Sequence, residues 1–328
     1  MMKAFVWFSI VLALGVILLG AYTRLTDAGL GCPDWPGCYG TISVPDTQQA
    51  IERANQAFPE RQVEPQKAWN EMIHRYFAGA LGVFIAVIAV MGFKRPKAIR
   101  LLSSSLLVLV IFQALLGMWT VTLKLMPLVV MGHLLGGFSI FVLLCVLATR
   151  LQARESSDIT RVKGRWCLIV AAFVVFVQIS LGGWTSANYA ATACTQFPIC
   201  EGDWQQKLDF AGGFSLPKSD DGNYEYGRHS YAERMTIHIV HRAGAVVATL
   251  FVILAAFSLF RQGWLSSASW LLSLIVVQVG LGITNVVASL PLSVAVAHNG
   301  VALMLLASLV VFWVRTAPQT IFGDSQYG

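Results

Sequence analysis

Eight long apolar segments run through the chain, and they limit the folds that are open to it. A helix needs roughly 20 mainly apolar residues to cross the hydrocarbon core of a bilayer. We expect spans at residues 4–23, 73–93, 101–123, 128–149, 166–187, 236–260, 265–288 and 291–314. Only 12% of the residues are charged and 56% are hydrophobic, which is typical of a membrane protein. The sequence therefore predicts an all-α integral membrane protein with eight transmembrane helices.

Basic residues cluster in the short connections between these segments and predict the orientation of the chain. The stretches KRPKAIR, RLQARESSDITRVKGR and RQGW, with both termini, hold 12 of the 23 basic residues but three of the 17 acidic ones. Cytoplasmic loops carry such an excess of Lys and Arg. We therefore expect both termini in the cytoplasm and two long outer loops, 24–70 and 188–234. No Arg-rich transit peptide precedes the first span, which favours a bacterial inner membrane. The net charge of +6 suits contact with membrane lipid and gives no reason to invoke nucleic acid.

The second half of the chain repeats the first. Four markers recur in the same order: a cysteine pair beside a proline, a His-Arg dipeptide, a glutamine and a histidine. The matched positions are Cys32 and Cys38 with Cys194 and Cys200, His74 with His241, Gln113 with Gln278, and His133 with His298. Their offsets are 162, 167, 165 and 165 residues, which indicates an internal repeat. Four spans per copy keep the orientation, so we predict parallel repeats that form two pseudo-symmetric four-helix bundles. The bundles would comprise residues 1–150 and 166–328, with a cytoplasmic linker at 151–165.

Four of the six histidines belong to this repeat, namely His74, His133, His241 and His298. A single histidine near a membrane surface is often only a hydrogen-bonding residue, but ionisable groups at matched intramembrane positions are usually functional. Two neutral imidazoles that face each other in an apolar helix bundle suit the axial ligation of a haem iron. Zinc is disfavoured because neither half offers further Cys, Asp or Glu ligands at that depth. The motif CxxCH is absent, so haem would be held without covalent bonds.

The two cysteine pairs lie in the predicted outer loops, where an oxidising compartment favours disulfides. We interpret both pairs as structural staples, with redox-active pairs as the alternative. The histidines are also accompanied by glycines that would let helices or a flat macrocycle approach closely. These are Gly79, Gly82, Gly132, Gly136, Gly137 and Gly244.

The halves differ three residues before the His-Arg dipeptide. Glu71 precedes His74 in the first half, whereas His238 precedes His241 in the second. Residues at i and i+3 share one helical face. A carboxylate there could move protons or stabilise positive charge on a reacting carbon. The alternative is an ion pair with Arg75.

Three arginines lie where the carboxylates of a haem could emerge from the predicted bundles. They are Arg24, Arg75 and Arg242. The other interpretation is that these long side chains reach the lipid headgroups. The sequence alone leaves both interpretations open.

In combination, these residues resemble the haem A synthase family. The resemblance covers nearly the whole chain and rests on the stretches EMIHR and VHR, on His133 and His298, and on the cysteine pairs of both outer loops. It implies a haem b cofactor in the second half, with its iron bound by His241 and His298. It also implies that haem O, the substrate, binds in the first half with His74 and His133 at its iron. Glu71 matches a functionally important glutamate of the family and is the expected catalytic residue.

The family reaction oxidises a methyl group of haem O to a formyl group through successive hydroxylations, which gives haem A for terminal oxidases. It requires an external electron donor, and the protein supplies placement and electrostatics. The insoluble substrate makes a haem O synthase a candidate partner, with a homo-oligomer as the other candidate. One alternative is a di-haem b-type electron-transfer cytochrome. A transporter built from parallel repeats is a weaker alternative because broken, charged mid-membrane helices are lacking.

Overall fold

The computed structural model describes residues 1–153, 165–216 and 222–316. The regular secondary structure of this part of the chain is helical, and its only bridge of β type is an isolated one between Cys38 and Thr41. A short 3-10 turn covers Trp204–Lys207. The helices are α1 (Met2–Leu25), α2 (Gln48–Ala57), α3 (Pro65–Gly92), α4 (Lys97–Thr122), α5 (Pro127–Ala153), α6 (Trp166–Ala187), α7 (Phe210–Gly213), α8 (Tyr231–Phe260), α9 (Leu265–Val287) and α10 (Leu292–Arg315).

Eight of these helices are long and apolar enough to cross a membrane, which confirms the predicted number of spans. They are α1, α3, α4, α5, α6, α8, α9 and α10. Helices α2 and α7 lie in the two long loops. Of the predicted linker 151–165, residues 151–153 continue α5, and residues 154–164 lie outside the described part of the chain.

Helices α3 and α8 begin earlier than the sequence predicts. The predicted spans start at residues 73 and 236, whereas the helices start at Pro65 and Tyr231. Proline suits a first helical turn because its missing N–H would have no partner there. Helix α8 begins with a capping box in which the side chains of Ser230 and Glu233 each bond to the other's backbone N–H. The polar residues before both His-Arg dipeptides therefore lie within regular helix and not in a loop that precedes it.

Each half of the chain forms a ring of four helices. In the first half the neighbours are α1 and α3, α3 and α4, α4 and α5, and α5 and α1. In the second half α6, α8, α9 and α10 follow each other in the same cyclic order. The rings meet where α1 and α5 pack on α10 and where α5 packs on α6. One apolar core runs through both rings and includes fully buried Ile85, Phe138, Leu144, Leu271 and Leu303.

An ion pair links the two long loops. Arg61 follows α2, and its guanidinium donates two hydrogen bonds to Glu225, at 2.7 and 3.1 Å. Only 5% of the Glu225 side chain is exposed. Next to it, Tyr224 packs on Leu125 of the first half, and its backbone N–H donates to the carbonyl of Lys124. The second loop therefore lies partly on the first half.

Both predicted disulfides are present in the structure, Cys32–Cys38 and Cys194–Cys200. An equivalent arginine holds each small loop to the following spanning helix. Arg75 donates to the backbone carbonyls of the first loop, and Arg242 donates to those of the second. Both guanidinium groups are therefore hydrogen-bonded to the chain, although Nε of Arg242 is buried without a partner among the described residues.

The disulfides predict how many thiols react. Because only Cys145 and Cys167 are free, denatured protein treated with iodoacetamide without reductant should gain two adducts by intact-mass spectrometry. After reduction it should gain six. The double variant Cys145→Ser with Cys167→Ser is the control and should gain none without reductant. Six adducts on unreduced wild-type protein would contradict both disulfides.

Candidate functional site

The structure brings the four repeated histidines together in pairs, one pair in each ring. His74 of α3 faces His133 of α5, with 6.4 Å between the ring centres and 76° between the ring planes. His241 of α8 and His298 of α10 lie close enough to interact electrostatically. The matched positions in the sequence thus correspond to two similar arrangements in space.

A glycine on the neighbouring helix faces each of these imidazoles. A Cβ atom on Gly20 would lie 2.9 Å from Cε1 of His74, and one on Gly182 would lie 3.1 Å from Cε1 of His241. Gly117 and Gly282 face His133 and His298 in the same way, each at 3.2 Å. The distance at Gly20 is too short for a Cβ atom, and the other three are tighter than most Cβ contacts, so glycine favours this close approach of the rings to the neighbouring helix.

These four glycines were not predicted from the sequence, which pointed to other glycines near the histidines. Gly20 and Gly182 are 162 residues apart, and Gly117 and Gly282 are 165 apart, which are the offsets of the repeat. That recurrence was the signal that could have found them. Of the glycines that were named, Gly136 makes room for the amide of Gln113 and Gly244 makes room for that of Gln178. No neighbouring atom lies near a Cβ built on Gly79 or Gly82.

Glutamines provide further polar contacts to the histidines. Gln113 donates to the backbone carbonyl of His133 at 2.6 Å, and Gln278 lies 3.3 Å from Nε2 of His298. Gln178 makes two contacts with His241, one to the ring nitrogen Nδ1 at 3.0 Å and one to the backbone carbonyl at 2.9 Å. The repeat offset places Val16 opposite Gln178, so the first half has no such amide.

The histidine pairs fit the haem groups that the resemblance implies. Nδ1 of His74, His133 and His298 is buried and makes no hydrogen bond of normal geometry with the described residues. Buried polar atoms normally have partners, so imidazoles left this way are suited to bind something that the chain itself does not supply. Imidazole nitrogens bind metal ions at about 2 Å, so rings whose centres lie 6.4 Å apart leave room for one ion between them.

Glu71 is buried and connects the His74 helix to the first disulfide. Only 5% of the residue is exposed. One carboxylate oxygen accepts a hydrogen bond from the backbone N–H of Cys32 at 2.9 Å, and the other pairs with Arg75. The ion pair that the sequence analysis held open as the alternative is thus present, but it is buried rather than solvated. The carboxylate lies one helical turn from the His74 ring on the loop side.

His238, at the equivalent position in the second half, lacks a hydrogen-bond partner for one ring nitrogen among the described residues. His238 is also 5% exposed, and its Nδ1 is buried without a hydrogen-bond partner among the described residues. The two halves therefore differ in hydrogen bonding as well as in residue type.

Arg24 connects the two halves at their loop ends. Its guanidinium donates to the carbonyl of Ser186 at 2.6 Å and lies 4.0 Å from the ring centre of Tyr189. Burial raises the pKa of the Tyr189 phenol, and the nearby Arg24 charge partly opposes that shift. Like Arg75 and Arg242, Arg24 is held by backbone of this chain.

Comparisons with known proteins identify the family of the chain. The family described as "Cytochrome oxidase assembly protein" matches residues 3–310. A protein of Shewanella oneidensis named "Heme A synthase" is 50% identical over 92% of both chains. Proteins of the same name from Rhizorhabdus wittichii and Bacillus licheniformis are 27% and 26% identical. They align with 92% and 86% of this chain and with 89% and 85% of their own lengths.

The match spans both helical rings, all four paired histidines and both disulfide loops. The family match covers nearly the whole chain, and one relative is 50% identical over 92% of both chains. This chain belongs to the cytochrome oxidase assembly protein family, whose members here are heme A synthases.

Proposed function

We propose that this protein is a haem A synthase, a membrane oxidoreductase that converts a methyl group of haem O to a formyl group. The observation that carries the proposal is the pair of buried histidines in each ring, every one faced by a glycine, in a chain of this family. Two sites of this kind suit an enzyme that holds one haem as cofactor and one as substrate. The bound haems supply electron transfer and oxygen activation.

We assign the haem b cofactor to the second half, with His241 and His298 as ligands, and haem O to the first half, with His74 and His133. The contacts of Gln178 support this assignment because they fix both the ring and the backbone of His241. Contacts to a ligating histidine fix the orientation of its ring. The first half has Val16 at that position, so the ring of His74 has no equivalent amide contact, as suits a site whose haem must be exchanged at each turnover.

Glu71 is the proposed catalytic residue. Its carboxylate is held beside His74 by Arg75 and by the N–H of Cys32, so it keeps a defined position while other groups enter the site. Held charge in a water-poor site interacts strongly with charge that develops on a reacting carbon. The second half has His238 there, which fits a site that does not carry out the oxidation.

The membrane setting follows from the same proposal. The eight spans suit a bacterial inner membrane, with both termini in the cytoplasm and the disulfide loops in the oxidising periplasm. A farnesylated haem is strongly apolar, so an enzyme in the bilayer can receive it without passage through water. An external electron donor is required. A haem O synthase and a second copy of this chain are the candidate protein partners.

The reaction can be tested in a host that makes haem O but not haem A. Cells that express this chain should accumulate haem A or its hydroxylated precursor, measured by chromatography of extracted haems. An empty vector is the control. If correctly inserted protein yields neither product while keeping two haems, the di-haem electron-transfer cytochrome replaces the enzyme.

The assignment of the two halves predicts different effects of ligand removal. His298→Ala should deplete the low-spin b-type spectrum of the purified protein because it removes an axial ligand of the resident haem. His133→Ala, the matched change in the first half, should leave that spectrum and abolish haem A formation. The reverse pattern would exchange the roles of the halves.

Glu71→Gln should separate haem binding from catalysis. Glutamine keeps an oxygen for the Cys32 N–H but loses the charge, so we expect an unchanged haem spectrum and turnover reduced about a hundredfold. Glu64→Gln, on the exposed end of the same region, is the control and should retain turnover. Wild-type turnover by Glu71→Gln would reduce Glu71 to a structural partner of Arg75.

A further inference from the structure

No described residue pairs with the charge of Arg234. It lies on α8 and is half-buried, and its Nε atom is buried without a hydrogen bond. Among the described residues, no carboxylate, carbonyl or aromatic ring contacts its guanidinium. A buried guanidinium N–H without an acceptor is costly, so this half-buried arginine is suited to bind a partner from outside the chain.

The position of Arg234 relates it to the second histidine pair. It precedes His238 by four residues and His241 by seven, so the three side chains form one stripe on α8. Seven residues of helix correspond to a rise of about 10 Å. Arg234 and His238 therefore lie on the loop side of the proposed iron ligand, and both have buried nitrogen atoms without a partner.

In the first half, the residues that match Arg234 and His238 have partners within the chain itself. The residues 167 positions earlier are Lys67, Glu71 and His74. Lys67 pairs with Glu64 at 2.8 Å, and Glu71 is bonded to the disulfide loop and to Arg75. The unsatisfied donors are thus a property of the second half and not of the repeat.

The nearest acidic residues of α8 and the disulfide loop are already occupied. Glu233 binds the backbone N–H of Ser230 and the ring of His229. Glu201 accepts hydrogen bonds from Thr195 and Gln196, and these bonds lower the pKa of its carboxyl group. Neither carboxylate is bonded to Arg234.

We propose that Arg234 and His238 bind the propionate carboxylates of the tetrapyrrole that His241 and His298 hold. The inference rests on the proposed function, because it assumes a haem in the second half. The carboxylates of a haem project from one edge, away from the iron, and a guanidinium offers a fork of donors that matches a carboxylate. With that edge toward the loops, the haem meets Arg234 and His238 on the same helix as its ligand.

This contact distinguishes a resident haem from an exchangeable one. In the second half the carboxylates gain an otherwise unpaired cation. In the first half the corresponding cation, Lys67, is already neutralised by Glu64. The two sites can therefore share a ligand plan and still release haem at different rates.

The test compares haem B with its dimethyl ester, in which both carboxylates are blocked. Protein purified from haem-deficient cells is loaded with either compound, and transfer to excess apomyoglobin gives the rate of loss. We expect wild-type protein to release the ester about tenfold faster than haem B, the effect of one or two charged hydrogen bonds. Arg234→Gln should release haem B faster than wild type, by up to about tenfold, and should distinguish the two compounds less than wild type does, because only His238 remains.

Two variants complete the experiment. Lys67→Gln, the matched change in the first half, should keep the wild-type preference, and Arg234→Lys should keep part of it. Equal release of haem B and ester by wild-type protein would overturn the inference, and this measurement does not depend on any variant folding. If haem B and the ester are released equally but the bound haem is low-spin, the proposed function stands and only this inference fails. If wild-type protein takes up no haem at all, both the inference and the proposed function fail.

Discussion

The contact between a histidine ring and a glycine on the next helix is the constraint on which the rest of this structure depends. An imidazole is a polar group that an apolar helix bundle accommodates poorly unless something binds it. The absence of a side chain at Gly20, Gly117, Gly182 and Gly282 lets Cε1 of each ring approach the neighbouring helix closely. The helix order in each ring follows, because every histidine must have its glycine-bearing helix as a neighbour.

Both halves contain the histidine–glycine contact, but the residues around it differ. The second half adds an amide at Gln178 and leaves Arg234 and His238 unsatisfied, whereas the first half supplies Glu71 with two partners from its own chain. Glu71, Arg234 and His238 lie on the helices of the proposed ligands His74 and His241, one or two turns away from them, and Gln178 lies on the neighbouring helix α6. The repeat therefore preserves the ligand geometry while the neighbouring positions change.

Much of this was predictable from the sequence, for identifiable reasons. The spans and the paired histidines are patterns along one dimension, so length, hydropathy and recurrence suffice to find them. The predicted starts of α3 and α8 were too late, because the polar first turn of each helix resembles a loop when only hydropathy is considered. The roles of Arg24, Arg75 and Arg242 depend on which carbonyls lie within reach, which only the folded loops reveal. Arg234 was overlooked since an absent partner leaves no trace in a sequence.

The bonds of Arg24 to Ser186 and of Arg61 to Glu225 have a consequence for electron movement. They tie the loop ends of the two halves together, while α5 joins the rings within the bundle. Two redox centres in such a frame are held at a constant separation, and electron tunnelling falls off exponentially with separation. If substrate enters and leaves without separating the halves, the tunnelling distance would be the same at every turnover.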